Sequence, residues 1–160
     1  MAPRAREHDD TTTPPKGRAT PEARAARHAS RAGSTYARFV REVASAGGYS
    51  KAEAERYAVA TIATLEERLP IADVCALEAQ LPSRLDQILS FQPLLGLPKM
   101  DRDLFRKRVA ERMALPEDQA EGIARLVFSV LRRHVSPGEA RHVEAHLPED
   151  LKTLWSGHDR

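Results

Sequence analysis

Three of the chain's six histidines fall close together, at His134, His142 and His146, with Glu139 and Asp150 near them in sequence. A spacing of four places His142 and His146 on one helical face, from which two imidazoles can reach a single borderline metal such as zinc. Glu139 or Asp150 is the candidate third ligand. Two points weigh against a metal. Val143 follows the first histidine and Glu144 comes one later, so the metalloprotease pattern His-Glu-x-x-His is absent. Histidine pairs at i, i+4 also arise on exposed helices without any ligand. The sequence alone therefore assigns no metal, and His142, His146 and Glu139 stand only as the metal candidate.

Other chemistry finds less support. Cys75 is the lone cysteine, so neither an internal disulfide nor a thiolate metal cluster can form; lying between Val74 and Leu77, it reads as a small buried hydrophobe. The eight glycines form neither phosphate-cradling pattern, which argues against nucleotide hydrolysis. Acid pairs at Glu66/Glu67 and Glu149/Asp150 read as solvated helix faces. The basic runs Arg106-Lys107-Arg108 and Arg132-Arg133-His134 each wrap about 200 degrees of a helix and make no flat basic face. No catalytic residue and no cofactor follow from these residues, and the chain reads as a non-enzyme.

The elements that would position such side chains are helical throughout. Tyr36, Phe39, Val40 and Val43 recur at i, i+3, i+4 and i+7, and Ala54, Tyr57, Ala58, Thr61, Ile62, Leu65 and Leu69 continue one stripe. Ser50 with Glu53, and Ser136 with Glu139, read as capping boxes, the second with Pro137 in its first turn; Asp101 caps a helix carrying Phe105 and Val109. Pro82 and Pro148 each follow a leucine that ends one helix and precede the next.

Sliding the sequence on itself by 66 residues aligns 39–89 with 105–155, and twelve of the 51 positions are identical. The matches, among them Phe39/Phe105, Ala54/Ala120, Ala58/Ala124, Leu65/Leu131 and Leu81/Leu147, fall mainly on the apolar stripe. Duplicated packing explains that pattern better than a duplicated active site. Each half predicts four helical pieces: near 35–46 or 102–113, 51–69 or 117–135, 71–80 or 137–146, and 83–90 or 149–155. The connecting segment Phe91–Pro98 is apolar enough to pack against them and hold the halves as one domain.

Residues 1–34 carry seven Arg or Lys against four acids and, Ala and Met1 apart, no hydrophobic residue. This predicts a disordered basic tail, with transient helix from Pro21 capped by Thr20. The longest uncharged stretch of the body, Gln87–Pro98, is twelve residues with two prolines, short of the roughly 18 apolar residues of a membrane span. No membrane association and a cytoplasmic location are expected.

At Glu53-Ala-Glu-Arg-Tyr-Ala58, Thr64–Leu69 and Leu77-Glu-Ala-Gln-Leu-Pro82, and again at Val130–Ala140 and Val143-Glu-Ala-His-Leu-Pro148, the chain resembles an uncharacterised bacterial family, domain of unknown function 2267. The first half departs from the family pattern at Pro70-Ile71-Ala72-Asp73, where small residues and glycine usually precede the acid. The resemblance implies an all-helical, duplicated fold and no established activity. The expectation is an all-α, internally duplicated bundle of seven or eight helices: a tail over 1–34 and one domain over 35–160, with repeats 35–98 and 99–160. It acts as a non-catalytic interaction module for a protein partner, linked to bacterial stress physiology. Candidate contact residues are Glu78 and Pro82 at one Leu-Pro corner and Glu144 and Pro148 at the other. The alternative is nucleic-acid or polyanion binding through the tail. Oligomeric state is left open.

Overall fold

Caps and small residues set where the helices of this chain begin, end and approach one another. A computed structural model describes residues 20–89 and 99–158, which contain eight helices and no strand. The expectations for residues 1–19 and for the Phe91–Pro98 connection lie outside the described residues.

Thr20 opens α1 (Pro21–Gly47): its Oγ1 accepts the Ala23 N–H at 3.2 Å, and Pro21 occupies the first turn, where no N–H is required. The start expected near residue 35 is thus moved upstream. Ala and Arg between 21 and 34 favour helix and nothing breaks the run before Gly47, so this segment continues directly into the buried face of Tyr36, Phe39, Val40 and Val43. Positions 20–27 are nearly all exposed, as expected of a stretch with no apolar face.

The others follow: α2 (Lys51–Glu66), α3 (Ile71–Glu78), α4 (Ser83–Leu89), α5 (Arg102–Met113), α6 (Glu117–His134), α7 (Pro137–Ala145) and α8 (Glu149–Ser156). Ser50 and Glu53 form a complete capping box, and Asp101 accepts the Leu104 N–H at 2.8 Å. Pro148 is the N-cap of α8.

Helices α2 and α6 touch at the centre; α1 and α5 each lie against both, α4 packs on α1 and α2, α8 packs on α6, and α3 packs on α7. Fully buried Ala54, Ala58, Ala120 and Ala124 keep backbones close, while Phe39, Ile62, Leu65, Phe105, Phe128 and Trp155 fill the core. Each large apolar side chain so enclosed contributes about 1.5–3 kcal/mol. Phe128 meets Trp155 edge-on at 5.1 Å between ring centroids.

Several pairs of residues 66 positions apart are buried alike. Phe39 and Phe105, Val43 and Val109, Leu65 and Leu131, Leu81 and Leu147, and Leu85 and Leu151 are buried in both halves. Exchanging the first four helices for the last four maps the α1–α6 contact onto α5–α2 and the α3–α7 contact onto itself.

Two sequence readings are corrected. Glu66 and Glu67 are buried rather than solvated, because α5 lies along α2 and brings Arg108 and Arg112 to the Glu67 carboxylate. Cys75 is exposed, because α3 turns Asp73, Val74 and Leu77 inward and leaves Ile71, Ala72 and Cys75 facing out. No described helix is long and apolar enough to cross a membrane.

Candidate functional site

The α3–α7 edge gathers most of the residues singled out by chemistry. On α7, His142 and His146 share a face as the four-residue spacing requires, their rings 5.3 Å apart. The group facing them is Asp73, from the first turn of α3, 69 positions before His142 in sequence. His142 Nε2 lies 2.7 Å from Asp73 Oδ1, and His146 Nδ1 lies 3.3 Å from Asp73 Oδ2. His146 Nδ1 is also 3.0 Å from the His142 carbonyl oxygen one turn back. The Asp73 side chain is only 11% exposed, whereas that of His142 is 55% exposed, so a buried carboxylate sits beneath two rings that reach solvent.

Glu139 and Asp150 do not supply the third ligand. Glu139 is not among the groups whose donor atoms come within 4.8 Å of one another, and the Asp150 carboxylate accepts the Arg102 backbone N–H at 2.9 Å. His134 is also elsewhere: its ring meets Phe39 edge-on at 5.1 Å, with Nε2 3.3 Å from Glu42. The capping box expected at Ser136 is only half made. Ser136 Oγ accepts the Glu139 N–H at 3.1 Å, but the Ser136 N–H donates to Gln80 Oε1 at 2.7 Å, leaving Glu139 Oε1 buried with no hydrogen-bond partner among the described residues.

That detail explains why the edge is lopsided. Under the 66-residue offset Gln80 corresponds to His146, Ser136 to Pro70, and Glu139 to Asp73. On one side an amide donor at Ser136 takes up the Gln80 side chain. On the other, Pro70 has no N–H to offer, so His146 turns to the Asp73 carboxylate instead. The sequence carried this signal in two places, the departure at Pro70–Asp73 and the offset itself, which pairs position 73 with 139.

Of the Leu-Pro corners, Leu81, Leu147 and Pro82 are buried, and Pro148, Glu78 and Glu144 are half-buried. Their leucines anchor the turns, while the two glutamates stay partly accessible at the ends of α3 and α7. The outward face of α3 runs through Ile71, Cys75 and Ala79 at i, i+4 and i+8. Ile71 is 66% exposed, the large hydrophobe most open to solvent among the described residues.

Elsewhere many of the charged groups pair with one another. A groove of about 500 Å³ beside α2 is lined by Glu55, Arg56, Val59, Ala60, Ile88 and Arg112, among others. Its Arg112 donates to Thr64 Oγ1 at 2.6 Å and pairs with Glu67. Glu55 faces the Tyr36 hydroxyl, whose pKa is raised by burial and further by that carboxylate. In the basic run of α5, Arg106 pairs with Asp118 and Glu121, both at 2.9 Å, and Arg108 with Glu67 at 3.0 Å. No flat cationic face is left there.

Compared with known families, residues 36–154 match the model described as an uncharacterized conserved protein, DUF2267. No curated protein matches the chain.

Proposed function

We propose that this chain, which belongs to the DUF2267 family, is a non-catalytic helical module built from two tandem copies, 35–98 and 99–160, and that it binds a protein partner in bacterial stress physiology. The working face is the α3–α7 edge, with Glu78, Glu144 and Pro148 at its rim; Pro82, being buried, supports its corner without reaching a partner. The observation that carries the reading is the uncharged outward face of α3 and its C-cap, where Ile71, Ala72, Cys75 and Ala79 are all exposed and Ile71 is 66% open to water. An uncharged strip of this kind, bordered by partly accessible glutamates, suits an apolar protein surface with a basic margin. The duplication is supported by the paired burial of Phe39 with Phe105 and Leu81 with Leu147.

The test is affinity capture from stressed and unstressed cells of the native host, with parent chain and Ile71→Asp as baits. A protein retained by the parent and lost from Ile71→Asp, with the variant's helix content and melting unchanged, is the expected result. Equal capture by both baits removes α3 from the interface.

A second reading places polyanion binding on the tail, supported by Arg24 and Arg27, both exposed in the first turns of α1. It requires a shift assay in which binding falls steeply with salt and vanishes when residues 1–34 are deleted.

A further inference from the structure

We infer that Asp73, His142 and His146 form a binding site for one zinc-type divalent transition ion, which joins α3 of the first half to α7 of the second. One donor atom from each residue lies within 4.8 Å of the others. One carboxylate and two imidazoles are a donor set suited to zinc, cobalt, nickel or copper, whereas calcium and magnesium take oxygen ligands.

The spacing of the donors is close to what such an ion needs. With metal–ligand bonds near 2.0–2.1 Å, neighbouring donors of a tetrahedral site stand about 3.3 Å apart. His146 Nδ1 and Asp73 Oδ2 are already 3.3 Å apart. His142 Nε2 is 2.7 Å from the other oxygen, Asp73 Oδ1, a hydrogen-bond length, so a single oxygen serves both rings once the carboxylate turns and that contact opens by about half an ångström as the ion replaces the proton. His146 Nδ1 also lies 3.0 Å from the His142 carbonyl oxygen, a contact that the ring gives up when Nδ1 ligates the ion.

The site is also built rather than incidental. Asp73 is held in the first turn of α3 with little exposure, while His142 projects from α7 and His146 from its C-cap. Pro70 removes the backbone donor that occupies the corresponding Gln80 side chain across the edge, leaving His146 to the carboxylate. Because the His142 side chain is more than half exposed, the fourth position opens to water or to a donor from outside the chain.

The full chain, free of any affinity tag, is titrated with Zn²⁺ against a chromophoric chelator at neutral pH, and with Co²⁺ followed through its visible d–d bands. One ion per chain is expected, its affinity reduced at least tenfold in both His142→Ala and Asp73→Asn. The cobalt bands should disappear in those two variants and persist in His134→Ala, whose ring belongs to the Phe39 contact. Zn²⁺ should raise the melting temperature of the parent chain but not of His142→Ala, a surface change that leaves the fold intact. Full affinity in His142→Ala, or failure of the parent chain to take Zn²⁺ from the chelator, overturns the site.

Discussion

Glu67 is a residue whose removal the molecule should tolerate poorly. Its carboxylate is fully enclosed and holds two guanidinium groups from α5, Arg108 at 3.0 Å and Arg112. Truncation leaves both cations facing a void, and breaking one side of such a buried arrangement costs about 3 kcal/mol. Glu67→Ala should therefore lose roughly that stability in urea denaturation, while Glu149→Ala, at an exposed position, should lose almost none. A Glu67→Ala variant as stable as the parent would show that the arginines find other partners. Neither Glu67 nor Asp73 could be assigned its role from sequence, for the same reason. Each is a short-range surface acid by pattern and acquires its partners only when a helix 41 or 69 positions away is laid beside it. His142 and His146 were legible because their relation is local to one helix; their carboxylate was not.

Helix ends carry their own instructions, and for this reason the elements were read more fully than their contacts. Ser50 and Glu53 exchange hydrogen bonds at the start of α2, Ser50 N–H donating to Glu53 Oε2 at 2.8 Å and Glu53 N–H to Ser50 Oγ at 3.2 Å. Ser50→Ala should lower stability by about 1 kcal/mol. The hydrogen bonds from the Ser50 backbone and side chain, with help from Arg56, hold the Glu53 carboxyl below its usual range. A depressed folded-state pKa means that this contribution is present at neutral pH and is lost as pH falls through the lowered value. Amide chemical shifts of Ser50 and Glu53 should move together in an acid titration; a Glu53 carboxyl titrating at or above the ordinary glutamate position would remove the box from the account.

A matched pair of helix ends gives a sharper test. α1 closes on Gly48 at φ 69° and α5 closes on Ala114 at φ 56°, positions 66 apart that adopt the same left-handed turn. Glycine accepts that conformation freely and alanine does not. Gly48→Ala should cost about 1 kcal/mol, since nothing lies within 4 Å to clash and only the backbone objects. Ala114→Gly should gain about 0.5 kcal/mol after the added freedom of the unfolded chain is subtracted. Thermal or urea unfolding of the two single variants measures both signs. The Thr20–Pro21 start of α1 was legible in its cap, but its continuity with the helix expected near 35–46 was not, because the 21–34 segment has no apolar stripe: its helix rests on that cap and on the buried turns that follow.

At the scale of the whole molecule the halves are interleaved rather than adjacent. α1 reaches across to α6 and α5 to α2, so neither half encloses its own core. Phe39 and Phe105 both lie in that shared interior, each with no accessible surface. Phe39→Ala and Phe105→Ala should each remove about 3–5 kcal/mol, a large share of the roughly 5–15 kcal/mol that folds a domain. The two losses should be alike in size, and each variant should unfold in one transition reported identically by far-ultraviolet dichroism and by Trp155 fluorescence. Trp155 is well placed to report because it is buried on α8 against Phe128, so a change at Phe39 reaches it only if the halves unfold together. If Phe39→Ala instead gave a dichroism transition at lower denaturant than the fluorescence one, the second half would be folding alone, and the tandem copies we propose would be neighbours sharing a boundary rather than one interlocked core.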